Sequence, residues 1–194
     1  MANKQKVLLS TLVVGVLCGL TTLGVFGVFS ATTQNAGNEI STGTVAISDN
    51  DAGSALYNIT GAKPGDTVSR CIRTTYTGSL PADVHLYTTS PPGALAPYVD
   101  LVITKGTQLN SAFPDCTGFT ADGAALFTGT LQGFEQTRNT FAAGIDSAAP
   151  GHAVWAPGDS VVYKIDATLQ SSTPDTSQGN SSGVHAFIWE ARNT

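Results

Sequence analysis

Three histidines, His85, His152 and His185, are the side chains in this chain best suited to hold zinc or to move a proton near neutral pH. Zinc sites legible in sequence carry a local pair such as His-Glu-x-x-His, whose i, i+4 spacing puts both ligands on one helix face. Each histidine here stands alone, so such a site would have to be assembled in space from separate strands; ordinary surface or hydrogen-bonded histidines are the plainer expectation. Asp49-Asn50-Asp51-Ala52-Gly53 sets two carboxylates and a glycine in one turn, a donor set for a hard cation such as calcium. An EF-hand would need a glutamate eleven positions after Asp49, where Thr60 stands, and as a hairpin turn these residues need no metal. Gly179-Asn180-Ser181-Ser182-Gly183 matches the Gly-x-Ser-x-Gly of a nucleophile elbow, which requires a strand before it and a helix after it. Here the motif lies in a Ser/Gly/Asn loop followed by a strand-like run, so no catalytic serine is expected. Tyr87, Tyr98 and Trp155 are aromatic candidates for a glycan-binding or adhesive face, and core packing accounts for them equally well.

Of three cysteines, Cys18 falls in the apolar N-terminal stretch, leaving Cys71 and Cys116 as an even pair. In an oxidising compartment a disulfide is the default; the rival is a metal or redox pair, for which no Cys-x-x-Cys spacing exists. A bridge would close a loop of about 45 residues, worth roughly 4 kcal/mol by loop-closure entropy.

The compartment follows from the first thirty residues. Lys4 and Lys6 precede an apolar run from Val7 to Leu23, and small residues follow, the three parts of a signal peptide with its helix. Cleavage fits after Gly27 or, alternatively, after Ser30, while frequent Gly, Ser and Thr make the segment a poor permanent anchor. The expected organisation is a signal peptide over 1–27, a flexible segment over 28–42 and a β-domain over 43–194. Charged residues are 12% of the chain, about half the share of an ordinary soluble domain. Without Lys4 and Lys6, seven basic residues face fourteen acidic ones, which argues against nucleic acid or anionic membrane surfaces as partners.

The elements that must position these residues are strands. Ala62-Lys63-Pro64-Gly65-Asp66-Thr67-Val68 is echoed by Ala156-Pro157-Gly158-Asp159-Ser160-Val161, and each Pro-Gly turn leads into a β-branched run. Strand-like runs recur at 44–48, 55–60, 67–76, 83–89, 98–104, 125–130, 160–169 and 184–191, with the first two expected to form an opening hairpin. Val84, Leu86 and Thr88 alternate with Asp83, His85 and Tyr87. One helix is expected from Leu131, Phe134, Arg138, Phe141 and Ile145, ending at Gly144 and covering an edge or end of the sheets. Such a pattern predicts an all-β antiparallel sandwich with one short helix.

Six segments in order carry a resemblance. They are Val28-Phe29-Ser30, Ser41-Thr42-Gly43-Thr44-Val45, Lys63-Pro64-Gly65-Asp66-Thr67-Val68, Thr77-Gly78-Ser79-Leu80-Pro81-Ala82, Trp155-Ala156-Pro157-Gly158-Asp159-Ser160, and Gln178-Gly179-Asn180 before a run ending in Trp189-Glu190-Ala191. In this the chain resembles the TasA/camelysin family of secreted bacterial proteins, whose precursors are cut by a dedicated signal peptidase. It departs in its Cys71/Cys116 pair and in being shorter than the fibre-forming prototype. The resemblance implies a jelly-roll fold and a subunit of extracellular or biofilm-matrix fibres, built by inserting the mature N-terminal segment into the next subunit.

On that expectation Val28, Phe29 and Ile40 anchor a donor strand. The partners are further copies of the chain, with other matrix proteins or an assembly initiator beside them. The camelysin name instead implies a secreted zinc metallo-endopeptidase, whose ligands would come from His85, His152 and His185 with a carboxylate; no family zinc motif maps onto this sequence. The structural expectation calls for no cofactor, and calcium at Asp49 and Asp51 is its alternative.

Overall fold

The computed structural model describes residues 41–110, 112–149 and 151–194. The expected signal peptide and the anchors Val28, Phe29 and Ile40 lie outside the described residues. Thr42–Thr194 forms the β-rich unit. Its strands are β1 (Ile47–Asp49), β2 (Thr67–Tyr76), β3 (Ala82–Tyr87), β4 (Val99–Gln108) and β5 (Phe119–Ala121). They continue with β6 (Phe127–Thr130), β7 (Ile145–Asp146), β8 (Ser160–Leu169) and β9 (Ile188–Asn193). All pairings are antiparallel. One sheet runs β1-β2-β8-β4-β5, with β6 also on β4, and the other runs β7-β3-β9. The all-β sandwich expected from the sequence is the fold that forms.

The repeated Pro-Gly-Asp phrase explains the middle of the large sheet. In each copy the Asp N–H closes the turn on a carbonyl, Asp66 on Lys63 at 2.9 Å and Asp159 on Ala156 at 3.0 Å. The Asp carboxylates then reach back, accepting from the Lys63 N–H at 2.8 Å and from the Ala156 N–H at 2.7 Å. Gly65 and Gly158 take φ of 94° and 89°, where a side chain is strained. The turn entering β2 also clasps the end of β8, with Gly65 N–H to Leu169 O and Leu169 N–H to Asp66 O. Reciprocally, the turn entering β8 clasps the end of β2 through Gly158 N–H to Tyr76 O and Tyr76 N–H to Asp159 O. Two central strands thus lock each other's ends with the same Pro-Gly-Asp turn.

Between the sheets lie Ile72 and Tyr76 of β2, Val84 and Leu86 of β3, Leu101 and Ile103 of β4, and Tyr163 and Ile165 of β8. Val84, Leu86 and Thr88 are buried while Asp83, His85 and Tyr87 are partly exposed, as period-two patterning requires. Cys71 and Cys116 are joined as a disulfide with Cα atoms 5.1 Å apart, tying β2 to the loop between β4 and β5. Gly106 of β4 admits β5 closely, since a Cβ there would lie 2.1 Å from the Thr120 carbonyl oxygen.

Three expectations need correction. The helix, α1, spans only Leu131–Thr137, capped by the Thr130 side chain accepting from Gly133 N–H. Arg138 leaves helical geometry, Phe141 stacks on His85 with ring centroids 4.2 Å apart, and Ile145 enters β7. The apolar spacing that suggested a longer helix therefore serves two different structures. No opening hairpin forms either: β1 pairs with β2, and 55–60 is not a strand. Finally, β9 begins at Ile188, so 184–187 carries strand-like residues without a strand.

Candidate functional site

The two segments with unused strand patterning, 55–60 through its residues 55–59 and 184–187 along its whole length, line one cleft of about 640 Å³. Its apolar lining comes from the core: Ile72 of β2, Val99 of β4, Leu169 of β8, Leu131 of α1 and Trp189 of β9. At its rim Ile59 is 49% and Val184 96% exposed, two large apolar side chains left in water at one opening. Among the described residues, no backbone–backbone hydrogen bond engages 55–60 or 184–187.

The walls are joined by Tyr57 and His185, whose hydroxyl and Nε2 lie 2.6 Å apart. Burial holds the Tyr57 phenol above its ordinary range, with the Glu135 carboxylate adding to the effect, while burial pushes the His185 imidazole down. At neutral pH the phenol therefore keeps its proton and shares a hydrogen bond with a neutral imidazole. A protonated phenol on a neutral histidine is a structural latch, without the charge separation of an activated nucleophile. Behind this wall Glu135 of α1 is buried, neither carboxylate oxygen has a hydrogen-bond partner among the described residues, and burial raises its carboxyl to about 7.

The sequence-derived candidates are placed elsewhere or engaged locally. His85 Nδ1 lies 2.7 Å from the Phe141 carbonyl, and His152 Nδ1 lies 2.6 Å from the Asp159 carboxylate. Among the described residues, no three His, Cys, Asp or Glu side chains come together to hold a metal, so His85, His152 and His185 do not share a site. Asp49 and Asp51 use their carboxylates on the backbone, accepting from Asp51 N–H at 3.1 Å and from Gly53 N–H at 2.6 Å. Ser181, the serine of the Gly-x-Ser-x-Gly match, accepts from Gly183 N–H in a loop that follows a 3₁₀ turn at Asp175–Ser177. Trp155 is fully buried and donates to the Ser147 carbonyl at 2.9 Å, which removes it as a surface aromatic. Tyr87 donates to Glu190 on the outer face of the small sheet, and Tyr98 is half-buried.

A scan against protein-family models finds no match to this chain, and a search of curated proteins finds none. The cleft was hidden in the sequence because its walls read as ordinary strands. Their failure to pair is a tertiary property.

Proposed function

We propose that the chain is a secreted structural protein of the extracellular or biofilm matrix, of the TasA/camelysin kind, assembling into fibres by head-to-tail strand addition. Residues 28–40 of one copy are the donor, and the cleft of the next copy is the acceptor. The observation that carries this reading is an apolar cleft walled by two β-competent segments that make no ladder among the described residues. Unpaired strand backbone is a template for an added strand, and core-derived apolar lining gives alternate side chains a place to go. Phe29 and Ile40 supply those side chains, each worth about 1.5–3 kcal/mol when fully buried. Because donor and acceptor are different surfaces, the contact is heterologous and propagates as a filament. The jelly-roll connectivity, export through the signal peptide and release by signal peptidase belong to the same reading. The Cys71–Cys116 disulfide supports it, being the kind of bond that persists in an oxidising compartment.

Deleting residues 28–40 from the processed chain tests it. Filaments seen by negative-stain electron microscopy for the processed chain should vanish in the deletion, whose circular dichroism should stay that of a β-sandwich. Filaments that persist would refute strand addition.

A further inference from the structure

The ten-residue strand β2 has a strand on both sides only at 74–76, where β1 pairs with it. Over 67–73 it is laddered to β8 alone, the longest one-sided run among the described strands of the large sheet. The N–H groups of Cys71 and Arg73 find partners outside β8, and residues two apart on a strand share a direction. The backbone groups of Ser69, Cys71 and Arg73 therefore face the open side. A bare row of such groups is a template for another strand.

Here the row is met by partners that are not strands. Arg73 N–H donates to the Asn50 side chain at 2.8 Å, and the Arg70 guanidinium donates to the Ser69 carbonyl at 2.9 Å. Between them Cys71 N–H donates to the Pro114 carbonyl at 3.0 Å, and the Cys71–Cys116 bond ties down the same segment, 112–118. That segment has a second hold on β4, where Gln108 Nε2 donates to the Asp115 and Thr117 carbonyls at 3.0 and 2.9 Å. Since β8 lies between β4 and β2, 112–118 spans the outer face of the sheet to reach the far edge. Val162 of β8, which its register with Arg73 and Gly106 sets on that outer face, is 3% exposed. Breaking the disulfide would leave the segment on β2 by one backbone hydrogen bond, while its hold on β4 stays.

We propose that 112–118 is a disulfide-held guard over a second self-association edge, and that a dithiol releases it so that β2 of one copy pairs antiparallel with β2 of another. The inference goes beyond strand addition and uses neither 28–40 nor the cleft. Cys71 is 2% exposed, but Cys116 is only half-buried and lines a surface depression with Ser69, Arg70 and Asp115. A thiolate of the reductant attacks the Cys116 sulfur there, forming a mixed disulfide while Cys71 leaves as a thiolate. The second thiol of the reductant then displaces Cys116. Two electrons and two protons pass from the dithiol to the cysteine pair, and the reductant departs as a disulfide.

The partner is a second copy because one event frees the same edge in every chain, and antiparallel pairing lets an edge meet itself about a two-fold axis. A register centred on Cys71 sets Ser69 opposite Arg73 and Arg70 opposite Ile72, so no arginine faces an arginine. The contact is isologous and closes at two copies. In it the two Cys71 residues stand directly opposite, with Cα atoms about 5.5 Å apart, within reach of a disulfide.

The test uses the full processed chain, from which Cys18 has been cleaved, in sedimentation velocity below its filament-forming concentration. Oxidised wild type is compared with three samples in dithiothreitol: wild type, Cys116→Ser, and Cys116→Ser with Ser69→Pro. Ser69 N–H faces the open side, so a proline there removes an edge donor and spares the ladder to β8. Reduced wild type and Cys116→Ser should dimerise at a concentration about tenfold or more below that of oxidised wild type, and the proline should abolish the dimer. Circular dichroism should stay that of a β-sandwich throughout. After removal of dithiothreitol, diamide should join Cys116→Ser chains through Cys71 into a covalent dimer on a non-reducing gel, and should not join the proline variant. Strand addition gives the same species oxidised and reduced, so its success or failure does not alter this comparison. Monomers in every sample, a dimer that survives Ser69→Pro, or association that runs past two copies on reduction would overturn the edge pairing. Loss of the β-sandwich spectrum on reduction would overturn the guard, by showing that the bond staples the fold itself.

Discussion

Replacing Glu135 by Gln should alter the pH dependence of stability and leave the fold unchanged. Burial raises the Glu135 carboxyl from 4.5 to about 7. Below about pH 4.5 the folded and unfolded chains both hold the proton, and the group contributes nothing to their difference. As pH rises the unfolded chain ionises first and gains, so the folded state loses stability until about pH 7 and stays at that reduced level above it. At 1.36 kcal/mol per pH unit, the interval from 4.5 to about 7 amounts to about 3 kcal/mol. A glutamine at this position carries its own buried amide, which costs about 1–3 kcal/mol at every pH. The slope rather than the offset is therefore diagnostic. Urea unfolding followed by the fluorescence of Trp155 and Trp189 should give a mutant-minus-wild-type difference that rises by about 3 kcal/mol in the mutant's favour between pH 4 and pH 8. Parallel pH profiles for the two proteins would refute the burial of an unpaired carboxyl.

Other expectations concern the elements that hold the cleft. Reducing the Cys71–Cys116 bond, or replacing Cys71 by Ser, opens a 45-residue separation and should cost about 4 kcal/mol in urea unfolding. Asp159→Ala removes the acceptor of both the Ala156 N–H and His152, and should cost about 1–2 kcal/mol; Asp66→Ala, with one such bond, should cost less. Trp155→Ala should cost about 3–5 kcal/mol, because it empties a fully buried position and leaves the Ser147 carbonyl unpaired. Tyr57→Phe removes the 2.6 Å bond to His185 that joins the cleft walls, and amide hydrogen exchange at 55–60 and 184–187 should accelerate with little global change.

Much of the sandwich was legible because its longest strands announce themselves. The residues of β2 and β8 were bounded by Pro-Gly-Asp turns, whose φ demands and carboxylate back-bonds leave little freedom, and both strands run from the residue after the turn as expected. Alternation in β3 was equally plain, since its two faces meet core and solvent. Short edge strands were not: β5 and β7 have three and two residues, too few to show a period. The overlong helix arose because Phe141 and Ile145 sit at helical spacing by coincidence, one stacking on His85 and the other entering a strand. The cleft was invisible for a deeper reason. Whether 55–60 or 184–187 pairs depends on partner backbone from distant sequence, and Tyr57 meets His185 across 128 positions. Glu135 likewise reads as an ordinary polar residue on a short helix, and only the packing around α1 buries it.

Strand addition is tested most directly by electron microscopy of the secreted, processed chain beside the same chain lacking 28–40, with the amino terminus sequenced from both samples. The account predicts filaments from the chain that begins at Val28 or Ala31 and single particles from the deletion. Single particles from both across a wide concentration range, or filaments from both, would contradict it.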